Sequence, residues 1–425
     1  MKKIIVLGGG LAGLSTAVSL CSQNYKITLL ESSPKLGGRT YSFYDKNLLL
    51  NIDNGQHALM GCYKFTLDYL KKIGSLNNLV RQDNLSVTFV DETSKLYDLK
   101  AEGRLYPLNF LNALIKFRLF SFSEKVSLIK IFSKLLFLRP SDYLRKTIEE
   151  WLIEERQSAK VIKNFWEFLA VSALNSSIQS ASASMFISIL QEVFLHGNKA
   201  TAILTPKNGL SELLINPAEI YLRKHDSEIK LSESVKGLVV SNNKIVEILT
   251  DKSNYKDFDA VISAVPYEAI NKIVELGAKN FLPEYSSIVS IQVKLQNNPL
   301  NDDYYALVNS PIHWVFNNKT HLSLVISGAD GFSNLPKEQI SAIAKEELAK
   351  YFRISEDNIS GTTVIKEKRA TYVPNADFIS NRPGSVSHID NLILAGDWID
   401  TKLPCTIESA VKSGYLAADI VKRIF

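Results

Sequence analysis

Short, nearly continuous runs of apolar residues recur at the start, in the middle and near the end of the chain. At the start, two such runs flank a segment rich in Ala, Leu and Ser, which predicts a β-α-β unit within residues 1–60. Near the end, another run precedes a loop and a helical pattern. The predicted strands cover residues 4–7, 26–30, 229–232, 235–240, 245–250, 260–264 and 392–395, and the last helix covers residues 408–424.

In the remaining residues, the spacing of apolar positions is different. Between about residues 61 and 200, apolar positions recur mostly at helical spacing, whereas residues 275–375 alternate between strand and helix patterns. The predicted helices of the first region cover residues 66–73, 110–138, 141–155, 159–173 and 181–196.

The composition is that of a globular protein. A chain of 425 residues can build two or three domains around sizeable cores. The three cysteines are far apart, which indicates neither a disulfide framework nor a zinc site, and we expect no metal. The basic start and Cys21 resemble a signal peptide, but Leu20 is too large for its cleavage site, so we expect a cytoplasmic protein.

The net charge of +5 is concentrated in one segment. Residues 108–139 contain six basic residues, one acidic residue and many interleaved Phe, Leu and Ile side chains. Such basic, aromatic-rich amphipathic helices suit an anionic membrane surface, and we expect peripheral binding to the inner membrane face. The alternative is an ordinary helical lid with solvated lysines. Nucleic acid binding is not expected, because no second basic cluster accompanies this one.

The first β-α-β unit contains a dinucleotide-binding pattern. Gly8, Gly10 and Gly13 have G-x-G-x-x-G spacing, with Leu11 and Ala12 between them, and Glu31 ends the second strand. This spacing places a pyrophosphate at the helix N-terminus and the acid near the ribose hydroxyls. With Gly38 and Arg39 as a second clamp, the start of the chain resembles that of flavin amine oxidases and carotenoid desaturases, which implies FAD.

The resemblance implies further FAD contacts in the middle and at the end of the chain. Val235 would pack on the adenine, and Ala264 would lie at the turn beside the pyrophosphate. Asp397, after Gly396, would accept a ribityl hydroxyl. The last helix would begin with Thr406 as its N-cap and Ile407 after it, so that its free amides face the flavin.

These patterns predict an α/β fold in which a Rossmann-like FAD-binding domain is interleaved with a mixed-sheet substrate domain and a helical, membrane-facing lid. The predicted FAD-binding domain comprises residues 1–60, 203–270 and 385–425. The lid comprises residues 61–202 and the substrate domain residues 271–384.

A narrower resemblance covers nearly the whole chain. The runs at residues 53–57 (Asp-Asn-Gly-Gln-His), 165–169 (Phe-Trp-Glu-Phe-Leu), 314–317 (Trp-Val-Phe-Asn) and 395–398 (Ala-Gly-Asp-Trp) are similar to those of hydroxysqualene dehydroxylases of bacterial squalene and hopanoid synthesis. The resemblance implies a long apolar isoprenoid substrate, whose allylic hydroxyl leaves as water before hydride arrives from reduced flavin N5.

This chemistry needs an acid for the leaving oxygen and a water-poor channel. His57 and Glu167 are the first candidates for the acid, followed by Glu408 and Asp53, and Gln56 is a candidate to orient the hydroxyl or the flavin carbonyls. His57 is equally compatible with a structural histidine bonded to backbone, and Glu167 with a residue facing water.

Two other enzyme classes remain compatible with the sequence. A carotenoid or diapophytoene desaturase would share the FAD contacts and the lid, and a flavin amine oxidase would share the FAD contacts. The sequence has one nucleotide fingerprint, which FAD occupies, so a separate electron-donor partner is an open possibility for flavin reduction.

Overall fold

Five strands from the start, middle and end of the chain form a parallel sheet in the computed structural model, which describes residues 1–23, 25–277 and 280–424. They are β1 (Lys2–Leu7), β2 (Tyr25–Leu30), β10 (Glu228–Lys230), β14 (Ala260–Ser263) and β20 (Leu392–Leu394). The strand order is β10-β2-β1-β14-β20, and all neighbouring pairs are parallel. The predicted α/β, Rossmann-like unit is therefore confirmed, and its pieces are interleaved as expected.

The first and last helices pack together against this sheet. All ten residues of α1 (Leu11–Leu20) are buried, and α14 (Ile407–Ile424) buries one face. Ser15 donates to the carbonyl oxygen of Val411 and Thr16 to that of Gly414, both at 3.2 Å. A side chain at Gly414 would collide with Ser15, so this glycine lets the two helices approach closely.

A seven-stranded mixed sheet forms the second layer. Its order is β19-β15-β18-β17-β16-β7-β8, in which β16 and β7 are parallel and all other neighbours antiparallel. One face packs on α12 (Lys337–Phe352). The strands are β7 (Ser86–Val90), β8 (Leu96–Lys100), β15 (Tyr285–Leu295), β16 (Tyr304–Leu307), β17 (Trp314–Asn317), β18 (Leu322–Ser327) and β19 (Ile359–Tyr372).

The other face of this sheet packs on a helical region with an aromatic core. The single helix predicted for residues 110–138 is wrong, because Ser121 and Glu124 form a capping box that starts a new helix. A π-helical turn at residues 162–167 also interrupts the helix predicted for residues 159–173. The helices are α2 (Lys64–Lys72), α3 (Leu108–Lys116), α4 (Phe122–Lys134), α5 (Ile148–Glu154), α6 (Ala159–Val161), α7 (Phe168–Leu174), α8 (Ala183–Phe194) and α9 (Asn198–Thr201).

Residues 79–100 differ from the mostly helical prediction. They form β6 (Leu79–Arg81) and then β7 and β8, and the last two extend the seven-stranded sheet. The sheet thus includes residues assigned from the sequence to the lid, and the division into domains remains a prediction.

Within the described residues there are also three small sheets and three short α-helices. The predicted strands at residues 235–240 and 245–250 are confirmed within one residue. None of the helices in the described ranges is long and apolar enough to cross a bilayer. The remaining elements are β3 (Ser42–Asp45), β4 (Leu50–Asp53), β5 (Leu59–Met60), β9 (Ile203–Pro206), β11 (Val235–Ser241), β12 (Lys244–Thr250), β13 (Asn254–Tyr255), α10 (Asn216–Lys224), α11 (Tyr267–Ile273) and α13 (Ala376–Asn381).

Candidate cofactor and substrate site

A continuous cavity of about 1090 Å³ is lined by residues of both large sheets and of the helical region. One end lies at the carboxyl ends of the parallel strands, where open α/β sheets bind ligands. The other end is apolar and lies against the seven-stranded sheet. A cofactor and a substrate can therefore share one continuous space.

The turn between β1 and α1, which lines the cavity, has the geometry that the glycine spacing predicts. Gly8 follows β1 with a φ of +99°, a conformation that favours glycine. A Cβ at Gly13 would lie 1.9 Å from the carbonyl oxygen of Gly8, so α1 packs directly on this turn. The Glu31 carboxylate accepts hydrogen bonds from the backbone amides of Gly9 at 2.6 Å and Ser33 at 2.7 Å.

The start of α1 fits the pyrophosphate of a dinucleotide. Gly10 stands at the N-cap without a side-chain cap, so the first amides of the helix are open to a ligand. A Cβ at Gly10 would lie 4.0 Å from Cα of Gly38, and side chains at these two glycines would fill the cleft between them. The two glycines thus leave space for phosphate groups beside the helix N-terminus.

The structure brings nearly all predicted FAD contacts to this cavity. Gly13 is the exception, since it lies behind the turn and serves packing. That these residues touch FAD remains a prediction. The lining residues among them are Gly8, Gly10, Leu11, Ala12, Glu31, Gly38, Arg39, Val235, Ala264, Gly396, Asp397, Thr406 and Ile407.

Arg39 and Asp397 join the two ends of the chain. Nη2 of Arg39 donates to Oδ1 of Asp397 at 2.7 Å, and Nη1 donates to the carbonyl oxygen of Ala370 at 2.7 Å. Asp397 is 5% exposed, and within the described residues its Oδ2 has no recorded hydrogen-bond partner. Oδ2 is thus the oxygen that suits the predicted ribityl contact.

The turn after β4 places Gln56 and His57 on the cavity wall. The Nδ1 atom of His57 lies 2.7 Å from the carbonyl oxygen of Gly55, and burial lowers the pKa of His57. Oε1 of Gln56 accepts a hydrogen bond from Nδ2 of Asn318 at 3.2 Å. These two side chains give this part of the wall its polar character.

Two of the candidate acids are engaged by backbone amides. Oδ1 of Asp53 accepts from Leu210 N at 2.9 Å and from the Ser42 hydroxyl at 2.6 Å, and Asp53 does not line the cavity. Glu408 lines the cavity but accepts from Phe65 N and Thr66 N, which caps the start of α2. Burial raises the pKa of both carboxyl groups.

Glu167 lies apart from the cavity. It belongs to the π-helical turn whose Phe165 does line the cavity, but Glu167 itself does not. Burial raises its pKa, and the positive charge of Lys163 opposes this rise in part. The structure therefore does not bring Glu167 together with His57, although both were proposed for the same role.

The apolar end of the cavity is formed by helices of the predicted helical region together with strands, of which β7 and β8 were not predicted from the sequence. Leu85, just before β7, alternates with Val87 and Phe89 on that strand, and this period-two pattern was the signal available in the sequence. The indole of Trp314 donates to the Ser172 hydroxyl, and the phenol of Tyr304 to the carbonyl oxygen of Ser86. The apolar lining comprises Leu85, Val87, Phe89, Leu99, Phe110, Phe165, Phe168, Val193, Phe194, Phe316 and Val325.

A family model for flavin-containing amine oxidoreductases matches residues 11–422, which is nearly the whole chain. The chain belongs to this family. Membership agrees with the open helix N-terminus and the glycine cleft. The protein is therefore an FAD-dependent oxidoreductase.

Several named proteins are similar to this chain along nearly its whole length. The hydroxysqualene dehydroxylase of Sinorhizobium fredii is 28% identical over 99% of this chain and 98% of its own length. The 15-cis-phytoene desaturase of Glycine max is 25% identical over 98% of this chain and 79% of its own length. A solved putrescine oxidase double mutant has a TM-score of 0.74 at 15% identity, covering 99% of both chains, which confirms the fold.

Proposed function

We propose that this flavoenzyme reductively removes the allylic hydroxyl of hydroxysqualene and releases squalene. The observation that carries the proposal is the apolar end of the cavity, where the donors of Trp314 and Tyr304 are already bound by protein acceptors. An all-hydrocarbon chain can enter such a space without leaving buried polar groups unpaired. The similar enzyme from Sinorhizobium fredii bears the corresponding name.

The reaction breaks one C–O bond and forms one C–H bond. The hydroxyl takes a proton and leaves as water, and the carbon that it leaves becomes an allylic cation. Reduced flavin supplies the hydride that this carbon accepts. The polar wall at Gln56 and His57 would hold the hydroxyl, while Trp314 and Phe316 exclude water and stabilise positive charge.

An anaerobic experiment tests this function. The purified enzyme is reduced with dithionite and mixed with hydroxysqualene, and flavin absorbance and products are followed together. We expect flavin reoxidation with one squalene formed per flavin. Bound, reduced flavin that neither reoxidises nor yields squalene would contradict the proposal.

A desaturase is the second candidate, since phytoene desaturases align over 98% of this chain. It would run hydride transfer in the opposite direction, from a polyisoprene to oxidised FAD. Oxidised enzyme would then convert phytoene-like substrates into a conjugated product, which visible absorbance detects. The same preparation therefore distinguishes the two functions.

We further propose that the protein binds the inner face of the cytoplasmic membrane through α3, α4 and their flanks. In support, Phe122 is 80% exposed and Phe137 is 83% exposed, and the basic residues Lys116, Arg118, Lys130 and Arg139 of the same segment are exposed. Exposed aromatic side chains beside cations match the interface of an anionic bilayer. The exposed apolar residues of this docking face are Leu105, Leu108, Ile115, Phe122, Val126, Leu136 and Phe137.

The docking face adjoins the cavity. Gln191 lines the cavity, and its Nε2 donates to the carbonyl oxygens of Leu135 and Leu138, on either side of exposed Leu136 and Phe137. A substrate dissolved in the membrane would therefore have a short path into the cavity. Electrons would come from a separate donor, because the one nucleotide fingerprint is assigned to FAD.

Charge reversal on the docking face tests membrane binding. We expect the triple variant Lys116→Glu, Arg118→Glu, Lys130→Glu to lose most binding to anionic vesicles, since three exposed bases become acidic. Lys134 is left unchanged because it pairs with Glu155. The control carries the same charge change on exposed lysines of the β11-β12-β13 sheet region: Lys236→Glu, Lys244→Glu, Lys252→Glu. Equal binding of both variants would contradict the proposal.

A further inference from the structure

A chain of hydrogen bonds, buried within the seven-stranded sheet and part-buried at Asn318 and Gln56, links strands β15 and β18 to the cavity. It runs from Ser290 through Gln292, Ser323 and Asn318 to Gln56. Ser290, Gln292 and Ser323 are at most 1% exposed. Polar groups this deeply buried in a sheet are costly unless each one is paired, and the pairing then fixes their orientations.

Within the sheet, each hydrogen bond is donated in the direction away from Asn318. Nε2 of Gln292 donates to the Ser290 hydroxyl at 3.0 Å, and the Ser323 hydroxyl donates to Oε1 of Gln292. Because the Ser323 hydrogen is used in this way, its oxygen must accept from Nδ2 of Asn318, at 2.8 Å. The same amide nitrogen therefore faces Gln56, which presents its oxygen.

His321 reinforces this orientation of Asn318. The Thr320 hydroxyl donates to the Asn318 carbonyl oxygen, so the Nδ1 hydrogen of His321 points to the Thr320 oxygen at 3.0 Å. In the neutral ring, Nε2 of His321 is then an acceptor, and it lies 3.4 Å from Nδ2 of Asn318. The two amide hydrogens of Asn318 go to its closer acceptors, Ser323 at 2.8 Å and Gln56 at 3.2 Å. His321 opposes a flipped amide, because the flip would place the Asn318 side-chain oxygen beside the acceptor nitrogen of His321.

We propose that Asn318 is a positioning residue that fixes the Gln56 side-chain amide with its N–H donor available to the cavity. Gln56 lines the cavity, and within the described parts of the chain its Nε2 has no recorded hydrogen-bond partner. The ligand group it suits is an acceptor oxygen, either a flavin carbonyl or the hydroxyl of the substrate. Binding of the substrate hydroxyl rests on the proposed function, whereas binding of a flavin carbonyl requires only that FAD is bound.

The Asn318→Asp variant reverses this arrangement with little change in shape. A carboxylate accepts but does not donate, so the Gln56 amide must turn its nitrogen toward residue 318 and its oxygen toward the cavity. Asn317→Asp is the control, because it adds the same charge one residue away, where the side chain pairs with Leu300 and Asn298. Gln56→Leu removes the donor altogether, and Ser323→Ala breaks the chain without adding charge.

The experiment measures FAD content, melting temperature, flavin absorbance and reduction potential, and then kcat and KM with hydroxysqualene. If Gln56 donates to a flavin carbonyl oxygen, Asn318→Asp and Gln56→Leu both shift the flavin absorbance and lower the flavin reduction potential. If Gln56 instead donates to the hydroxyl oxygen of the substrate, the flavin properties stay unchanged and kcat falls at least tenfold in both variants. In either case, Asn318→Asp adds little in the Gln56→Leu background.

The opposite results are equally definite. The inference is overturned if Asn318→Asp matches Asn317→Asp in flavin properties and kinetics, or if its effect adds fully to that of Gln56→Leu. If Asn318→Asp fails to fold, Ser323→Ala is judged by the same criteria with smaller changes. If the wild type does not act on hydroxysqualene, the proposed function fails, and the flavin measurements alone decide the inference.

Discussion

The two ring nitrogens of His57 have different roles. A carbonyl oxygen only accepts hydrogen bonds, so Nδ1 must carry a hydrogen in its contact with Gly55. In the neutral ring, Nε2 is then an acceptor, and His57 becomes an acid only after Nε2 takes up a proton. Burial lowers the pKa of His57, so the protonated form is a minor species at neutral pH.

We predict that His57→Ala keeps FAD bound but lowers kcat about 100-fold or more, the usual effect of losing a general acid. In the wild type, kcat/KM should rise as the pH falls below about 6.5, the ordinary histidine pKa, because the protonated fraction grows. His57→Ala should lack this rise. The measurement is a pH profile of single-turnover flavin reoxidation.

His225→Ala is the control for this prediction, since His225 lies at the end of α10 and does not line the cavity. It should retain the wild-type rate and pH profile. A His57→Ala enzyme with the same rate and profile would remove His57 from the reaction.

The carboxylates show why the acid could not be chosen from the sequence. Asp53 and Glu408 stand in suggestive motifs, yet their partners, Leu210 and Phe65, are 157 and 343 residues away along the chain. Only the tertiary fold determines whether such an oxygen caps a backbone amide or faces a ligand. That most of the residues predicted to contact FAD line one cavity could be expected, because they lie in short motifs next to predicted strands and helices.

Among the strands and helices, prediction succeeded where burial on both sides leaves a continuous apolar run. Strands β1, β14 and β20 have such runs and were found. Strand β7 alternates apolar Val87 and Phe89 with polar Ser86 and Thr88, so it lacks such a run although most of it is buried, and it was missed. The Ser121–Glu124 capping box was present in the sequence, but the apolar residues on both sides of it suggested one continuous helix.

The edge strand β8 offers a test of how the apolar end selects substrate length. Leu99 is 4% exposed and lines the cavity, so we predict that Leu99→Phe shortens the space available to an isoprenoid chain. Turnover of hydroxysqualene should fall at least tenfold relative to an analogue that is one isoprene unit shorter. The comparison is the ratio of kcat/KM values for the two substrates.

Leu96→Phe is the matched control, because Leu96 lies on the same strand and is 56% exposed. It should leave the ratio unchanged. Overpacking of Leu99→Phe costs about 1–3 kcal/mol, so its melting temperature must be measured as well. A folded Leu99→Phe enzyme with the wild-type ratio of kcat/KM values would show that β8 does not limit the length of the isoprenoid substrate.

The molecule as a whole is assembled around the cofactor end of the cavity. The parallel sheet takes strands from the beginning, middle and end of the sequence, and Arg39 binds Asp397 across 358 residues. Glu408 on α14 caps α2 in the same way. Forming these long-range contacts costs entropy, because long loops of the chain must be closed. A ligand that contacts all of these segments at once therefore stabilises the folded state.

We predict that removing FAD lowers the melting temperature by on the order of 5 °C, and that adding FAD back restores it. A ligand at 100 times its Kd stabilises the folded state by about 2.7 kcal/mol, and 1 kcal/mol shifts the melting temperature of a mid-sized protein by about 2–4 °C. The measurement compares holoenzyme, apoenzyme and reconstituted enzyme by calorimetry. Asp397→Asn should show a smaller gain on FAD addition, because it weakens the contact with Arg39 and the site for the ribityl chain. Equal melting temperatures with and without saturating FAD would show that the segments hold together without the cofactor.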